Sequence, residues 1–271
     1  MGHTVRSRFE IFAERCAPIQ VSYLGYAGTL GANCIDYLIA DKTLIPKENQ
    51  QYYSEKIIYL PNTYLVNDST KKISEKIFKR EDLNLPKNSF VFCCFNQSHK
   101  ILPETFNTWM KILKKVSGSV LWLFETNEIS CKNLKQEAIK AGVDANRIIF
   151  AKRLIQLEEH LARYKVADLF VDTFPYTAHS TCADSLKAGL PVLTLQGQSF
   201  ASRVSSSLLK VVGLNELITH SSNEYENMAV DLANNLSRLK NIKKKLEDSK
   251  NKTPLFNTKL FTSNIEKAYI L

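Results

Sequence analysis

The chain has 271 residues, of which 44% are hydrophobic, and a formal net charge of +9. That length suits one large domain or two smaller ones, and the apolar fraction suits a packed core rather than a disordered chain. No apolar stretch is long enough to span a bilayer, and the polar, basic opening Met1-Gly2-His3-Thr4-Val5-Arg6 lacks the apolar segment of a secretory leader.

Six cysteines, at positions 16, 34, 93, 94, 131 and 182, show no metal-ligand spacing. They read as reduced thiols, which points to a cytoplasmic protein. In chain order, residues 1–17 form a short amphipathic segment carrying Phe9, Ile11 and Phe12. Ile19–Tyr23 alternates as a strand. Gly25-Tyr26-Ala27-Gly28-Thr29-Leu30-Gly31 follows, with three glycines in seven residues. It is a loop in which the backbone either turns with positive φ or approaches something closely. It is not a GxGxxG fingerprint, and a plain connector is its default reading. Cys34–Ala40 and Ile57–Leu60 are further strands, with a polar connector or short helix between Pro46 and Lys56. Asp68–Pro86 is charged and short of large apolar residues after Phe78, which marks a domain boundary or linker. The chain is expected to divide into residues 1–75 and 76–271.

Beyond the linker the pattern is regular. Strands are predicted at Ser89–Phe95, Ser119–Phe124, Arg147–Phe150, Leu169–Asp172, Val192–Leu195 and Leu217–Thr219. Helices are predicted at Glu104–Val116, Ser130–Ala141, Ile155–Tyr164, Thr181–Ala188, Ala201–Val212 and Ser222–Asn235. This alternation predicts an α/β fold with a doubly wound parallel sheet. The basic run Lys240–Lys252 has no interleaved aromatic to stack on bases, so it reads as a solvated helix face and nucleic-acid binding is not favoured. The tail beyond Thr253 ends in a helical segment, 265–271, that could pack back on the first lobe.

The informative stretch is Val166–Leu195. A buried strand runs into a loop with Pro175, Tyr176 and small polar residues, then into a helix stopped by Gly189 and Pro191. Free N–H groups and the positive end of the helix dipole gather before that helix, so a phosphate would sit there. In parallel sheets ligands bind beyond the carboxyl ends of the strands, where His179, Ser180, Thr181 and Asp184 cluster. Thr181-Cys182-Ala183-Asp184 also has the form of a capping box, and spacing alone favours that reading for Asp184. Gln97 and Lys100 follow another strand on the same edge. There Lys100 could neutralise a diphosphate and Gln97 could donate to phosphate or sugar; a surface lysine after a strand is more often merely solvated, but the edge shared with His179 adds weight to the phosphate role. His160 and Arg163 stand at i and i+3, suited to stacking on and bonding a base, while Glu159 and Arg163 equally fit an i, i+4 ion pair. No Asp-x-Asp and no nucleophile elbow occur.

Taken together, several stretches resemble the catalytic region of the protein O-GlcNAc transferases. They include Leu24-Gly25-Tyr26-Ala27-Gly28-Thr29, Phe95-Asn96-Gln97-Ser98-His99-Lys100-Ile101, Glu159-His160-Leu161-Ala162-Arg163 and Ala178-His179-Ser180-Thr181-Cys182-Ala183-Asp184. Ala201-Ser202-Arg203-Val204 and Pro254-Leu255-Phe256-Asn257-Thr258 extend the likeness almost to the end. The resemblance implies a GT-B fold, here a complete C-terminal Rossmann-like lobe and the end of an N-terminal one. It implies transfer of N-acetylglucosamine from UDP-GlcNAc to Ser or Thr of an acceptor protein, without a metal. Carried over by position, Lys100, His179, Ser180 and Thr181 contact the diphosphate, with Gln97 near the phosphates. His160 stacks near the uracil, Arg163 helps hold it, and Asp184 accepts from ribose hydroxyls in place of capping. Leu24, Gly25, Tyr26 and Tyr176 line the sugar pocket. Departures are Ala27 where the family has proline, Lys187 where tryptophan is common, and one extra residue between Phe150 and His160. The family's upstream histidine and aspartate motifs and its tetratricopeptide repeats are not in this sequence, so it is expected to be a shortened catalytic region. A non-catalytic UDP-sugar-binding fragment and a GT-B enzyme with another donor are the alternatives.

Overall fold

A computed structural model describes residues 2–4, 6–250 and 252–270. Positions 1, 5, 251 and 271, and with them parts of the first and last predicted segments and of the basic run, lie outside the described residues. The first part of the chain carries a one-turn helix, α1 (Glu10–Ala13), and strands β1 (Val21–Ser22), β2 (Tyr37–Ala40) and β3 (Lys56–Tyr59). These pair in parallel in the order β1-β2-β3. The second part contains β4 (Val91–Cys94), α2 (Pro103–Lys115), β5 (Val120–Phe124), α3 (Glu128–Lys140), β6 (Ile148–Ala151) and α4 (Leu157–Ala162). It continues with β7 (Leu169–Val171), α5 (Ser180–Ala188), β8 (Val192–Leu195), α6 (Val204–Val211), β9 (Ile218–Thr219), α7 (Ser222–Asn234), α8 (Leu236–Ser249) and α9 (Thr258–Ile270).

The second sheet has the parallel order β6-β5-β4-β7-β8-β9. The order reverses between β4 and β7, so the carboxyl ends of these two central strands open a crevice. β4 is Val-Phe-Cys-Cys with every residue buried, as a strand covered by helices on both faces requires. On one face α2 buries Phe106, Trp109, Met110, Ile112 and Leu113, which recur at helical spacing. The predicted strands and helices of this part are all present with boundaries moved by a few residues. Two helices differ more. The one predicted over Ile155–Tyr164 is α-helical only to Ala162 and tightens to 3₁₀ geometry over Arg163–Val166. The one predicted over Ala201–Val212 opens as a 3₁₀ turn, Phe200–Ser202, before α6. The basic run lies largely on α8, whose other face buries Leu239, Ile242 and Leu246.

The two sheets share a core. Leu38, Ala40, Leu44, Ile45, Tyr64 and Leu65 join the same buried cluster as β4, β7 and α6. Tyr64 meets Phe200 edge-on with ring centroids 5.4 Å apart. Buried Asp41 accepts from the Tyr64 N–H at 3.2 Å and from Ser207 Oγ on α6 at 2.6 Å, so a polar bond crosses between the sheets. The tail does pack back: Phe261 and Ala268 on α9 form a second cluster with Ile39 of β2 and Leu60, flanked by Val21, Tyr23 and Ile58. Residues 66–77 have no regular structure and run from the first sheet toward the second.

Candidate donor site

The crevice is organised by two polar residues that are hidden from solvent. Asp172, just past β7, is 2% exposed. Its Oδ1 accepts from the Thr173 and Ala178 N–H groups, both at 2.8 Å, and from Asn96 Nδ2 at 3.1 Å. Its Oδ2 accepts from Thr194 Oγ1 of β8 at 2.8 Å. Burial pushes the carboxyl above its ordinary range, and these hydrogen bonds only partly offset it. Asn96, just past β4, also donates to Thr173 Oγ1 at 2.7 Å and accepts from Thr181 Oγ1. The two residues therefore fix the loop 173–179 and the start of α5 against the ends of three central strands. Neither stood out in the sequence; the available signal was a small polar residue closing an apolar strand.

The structure corrects the capping box. α5 begins at Ser180 with His179 in the N-cap position, and no side chain caps it. Thr181 gives its hydroxyl to Asn96, and Asp184 forms an ion pair with Lys71. The first-turn N–H groups at Ser180 and Thr181 thus have no side-chain cap at the positive end of the helix. Beside them stands a three-layer contact. Lys100 Nζ lies 3.9 Å above the Tyr176 ring and donates to Thr177 O at 3.1 Å. Tyr176 stacks on the His179 imidazole, with centroids 4.9 Å apart and planes at 23°. Burial lowers the Lys100 pKa, opposed by the charge of Asp172. Burial, then the Lys100 charge, holds His179 at about 3, against the Ala201 backbone, and its Nε2 is buried with no hydrogen-bond partner. The ring is therefore neutral at pH 7.

His160 sits on α4 at one side of the crevice. Its Nδ1 accepts from an Arg163 NH2 group at 2.6 Å, and burial followed by the Arg163 and Lys71 charges lowers its pKa to about 4. Arg163, expected to help hold the uracil, lies behind His160. It is 1% exposed, donates to Lys152 O at 2.6 Å and stacks over Phe95 at 4.6 Å. Its guanidinium thus fixes the imidazole from inside the protein, from the first residue of the 3₁₀ turn back to α4. Gln97 is exposed just past β4, and its side chain makes no hydrogen bond among the described residues.

The glycine loop faces this cluster from the first sheet. Leu24 adopts φ +64° and is 42% exposed, and the Gly25 N–H closes a tight turn to Tyr23 O at 2.8 Å. A left-handed leucine holds its side chain at an angle an extended strand would not allow. Tyr26 meets His3 edge-on at 5.2 Å, and its phenol is near enough to Tyr176 to add to the burial that raises the Tyr176 pKa. Lys100, His179, Ser180, Thr181 and Tyr176 are thus gathered in one place, with Tyr26 across from them and His160 and Asp184 flanking. A lysine ammonium and helix N–H groups beside an aromatic shelf suit a nucleoside diphosphate.

The sequence model of glycosyl transferase family 41 matches residues 1–79 and 72–265. The probable UDP-N-acetylglucosamine–peptide N-acetylglucosaminyltransferase SEC of Arabidopsis thaliana is 40% identical over 99% of this chain, which spans 28% of that protein. The probable transferase SPINDLY of Solanum lycopersicum is 32% identical over 99% of the chain, which covers 29% of it. Among solved structures, a mutant of the Thermobaculum terrenum O-GlcNAc transferase superposes with a TM-score of 0.83 at 28% identity, over 95% of this chain and 49% of that one. The Thermosynechococcus elongatus sucrose-phosphate synthase, at 13% identity and a TM-score of 0.61 over 87% of this chain and 58% of its own, shares the GT-B fold alone. With two parallel sheets, a crevice at the carboxyl ends of the central strands and these relatives over nearly its whole length, the chain belongs to glycosyl transferase family 41.

Proposed function

We propose that the chain is the donor-binding part of an enzyme that moves N-acetylglucosamine from UDP-GlcNAc to Ser or Thr hydroxyls of an acceptor protein. The observation that carries this reading is the convergence of Lys100, neutral His179 and the uncapped start of α5 beyond β4 and β7, with His160 beside them. In this reading the acceptor hydroxyl oxygen attacks the anomeric carbon, the carbon–oxygen bond to the β-phosphate breaks with its electron pair going to UDP, and the hydroxyl proton passes to a phosphate oxygen of the departing UDP. The chemistry asks for orientation and for stabilisation of negative charge on the leaving diphosphate. Lys100 supplies a cation, the Ser180 and Thr181 N–H groups supply dipoles, and no metal is needed to complete the set. A histidine whose pKa is about 3 takes up a proton poorly, so His179 serves as a hydrogen-bonding group toward the diphosphate rather than as a general base. His160, fixed by Arg163, offers its face to the uracil, and Asp184 accepts from the ribose. Leu24, Gly25, Tyr26 and Tyr176 surround the sugar. Gln97, with a free amide, is placed for the phosphates.

Calorimetric titration with UDP and UDP-GlcNAc tests the reading. Lys100→Met is expected to weaken UDP by at least about tenfold, one charge-assisted contact in a partly buried site. Unchanged affinity in a folded variant overturns the assignment. Binding by this chain without transfer, with transfer restored in a longer chain, places the acceptor side in sequence outside these residues.

A further inference from the structure

The segment joining the two sheets is fastened along the outer edge of the donor site. Asn67 Nδ2 donates to Leu255 O at 3.1 Å, and the Ser69 N–H donates to Thr258 Oγ1 at 2.9 Å. Asp68 O accepts from Lys187 Nζ of α5 at 2.9 Å. Further on, the Ser74 N–H donates to Glu158 O at 3.1 Å, and Lys76 pairs with Glu159 at 3.1 Å, both on α4. Between these fastenings Lys71 reaches Asp184 Oδ1 on α5. The side chains of this pair are 23% and 16% exposed, so neither is freely solvated. Asp184 Oδ2 has no hydrogen-bond partner among the described residues. One carboxylate oxygen is thus held by the connector while the other stays open to a ligand. Lys71 is also near enough to His160 to help depress its pKa, so it stands between the two residues assigned to the nucleoside.

We propose that Lys71 is a donor-specificity residue: from the connector it locks the Asp184 carboxylate in the orientation that presents Oδ2 to the ribose hydroxyls. This rests on the UDP-sugar reading of the site. A carboxylate at the end of two rotatable bonds loses rotamer freedom when it accepts from a ligand, and a resident ammonium removes that cost beforehand. A lysine on a connector between sheets also ties ribose recognition to the seating of the two parts against each other. None of the surface pairs Lys76–Glu159, Lys140–Glu137 or Lys245–Glu216 has this combination of low exposure and an open second oxygen beside the crevice.

The test compares UDP with 2′,3′-dideoxy-UDP, which keeps the base and the diphosphate but gives Asp184 no hydroxyl. Both are titrated calorimetrically into the unmodified chain, Lys71→Met, Lys71→Arg, Asp184→Asn and the Lys71→Met/Asp184→Asn double variant. Lys71→Met is expected to weaken UDP about tenfold, a loss of the size seen when an ordered charged partner is removed. Lys71→Arg keeps most of the affinity. Lys71→Met adds nothing further in the Asp184→Asn background, because the two act through one carboxylate. Dideoxy-UDP binds all five proteins alike, which also certifies that each is folded. UDP affinity within twofold of the unmodified chain in Lys71→Met, or an equal loss for both nucleotides, overturns the proposal. If the unmodified chain binds neither nucleotide, it is the donor-site reading itself that fails.

Discussion

Replacing Asp172 separates two contributions that the crevice combines. The carboxylate takes four donors: two backbone N–H groups, Asn96 and Thr194. Its pKa is nevertheless raised, because burial outweighs those bonds. The sign follows from linkage. A carboxyl that holds its proton more tightly when folded destabilises the fold when it ionises, and the cost is fully present above the folded pKa and disappears as pH falls toward the unfolded value. Asp172→Asn removes the charge and keeps one acceptor oxygen for Thr173, Ala178 and Asn96. Only the side facing Thr194 changes, and a hydroxyl can turn to accept. The relief of desolvation offsets the weaker bonds, so Asp172→Asn is expected to cost no more than about 1–2 kcal/mol. Asp172→Leu leaves the same donors buried and unpaired at about 1–3 kcal/mol each, a sum that consumes much of a domain's typical 5–15 kcal/mol. Urea unfolding read by fluorescence gives both values. Donor binding supplies a second readout. The Asp172 charge opposes the fall in the Lys100 pKa. Without it Lys100 loses its proton at a lower pH, so the alkaline loss of UDP affinity moves to lower pH in Asp172→Asn. Equal stability of the Leu and Asn variants would refute the hydrogen-bonding role. An alkaline limb that does not move, in a folded Asp172→Asn protein, would refute the electrostatic one.

Three further outcomes are expected. His160→Ala should weaken UDP by about 1–3 kcal/mol, the range for one base stacked on one ring. It should also lower thermal stability, because Arg163 loses an acceptor at 2.6 Å; calorimetry and thermal unfolding read the two effects separately. The histidines predict an acid limb: their folded pKa values, about 4 for His160 and about 3 for His179, lie below an ordinary value of 6.5. Their neutral-form stabilisation is complete above pH 6.5 and is lost as pH falls toward those values, so urea midpoints should drop between pH 6.5 and 4 and drop less in His160→Ala. An unaltered slope in that variant would contradict the placement of His160. Phe261→Ala should cost about 3 kcal/mol at most, since the ring is buried against Tyr23, Ile39 and Leu60 on one face of the small sheet. Hydrogen exchange should then quicken at β2 and β3 while β4 and β5 stay protected.

What was legible in the sequence depends on how far a residue's partner lies along the chain. The strands of the large sheet are apolar runs because they are covered on both faces, and that pattern is written locally in Val91–Cys94 and Val120–Phe124. The end of α5 is equally local: Gly189 takes φ +88° directly after the last helical turn. The beginning of α5 is not. Thr181 and Asp184 have the spacing of a capping box, but their partners are Asn96 and Lys71, 85 and 113 residues away. A capping box contributes about 1 kcal/mol and competes with any stronger acceptor or cation that the fold delivers. Here the strand order delivers Asn96, since β4 and β7 are neighbours in the sheet though far apart in sequence, and the connector fastened to α4 delivers Lys71. Asp172 and Asn96 were obscured for the same reason: each completes its hydrogen bonds only when β4, β7 and β8 lie side by side. Arg163 shows the converse. Its i, i+3 spacing from His160 correctly joined the two, yet spacing could not say which of them faces the crevice, because that depends on Phe95 and Trp122 lying beneath the guanidinium. The misread residues are those whose polar atoms answer to the topology, and they are also the residues that aim the ones facing the crevice.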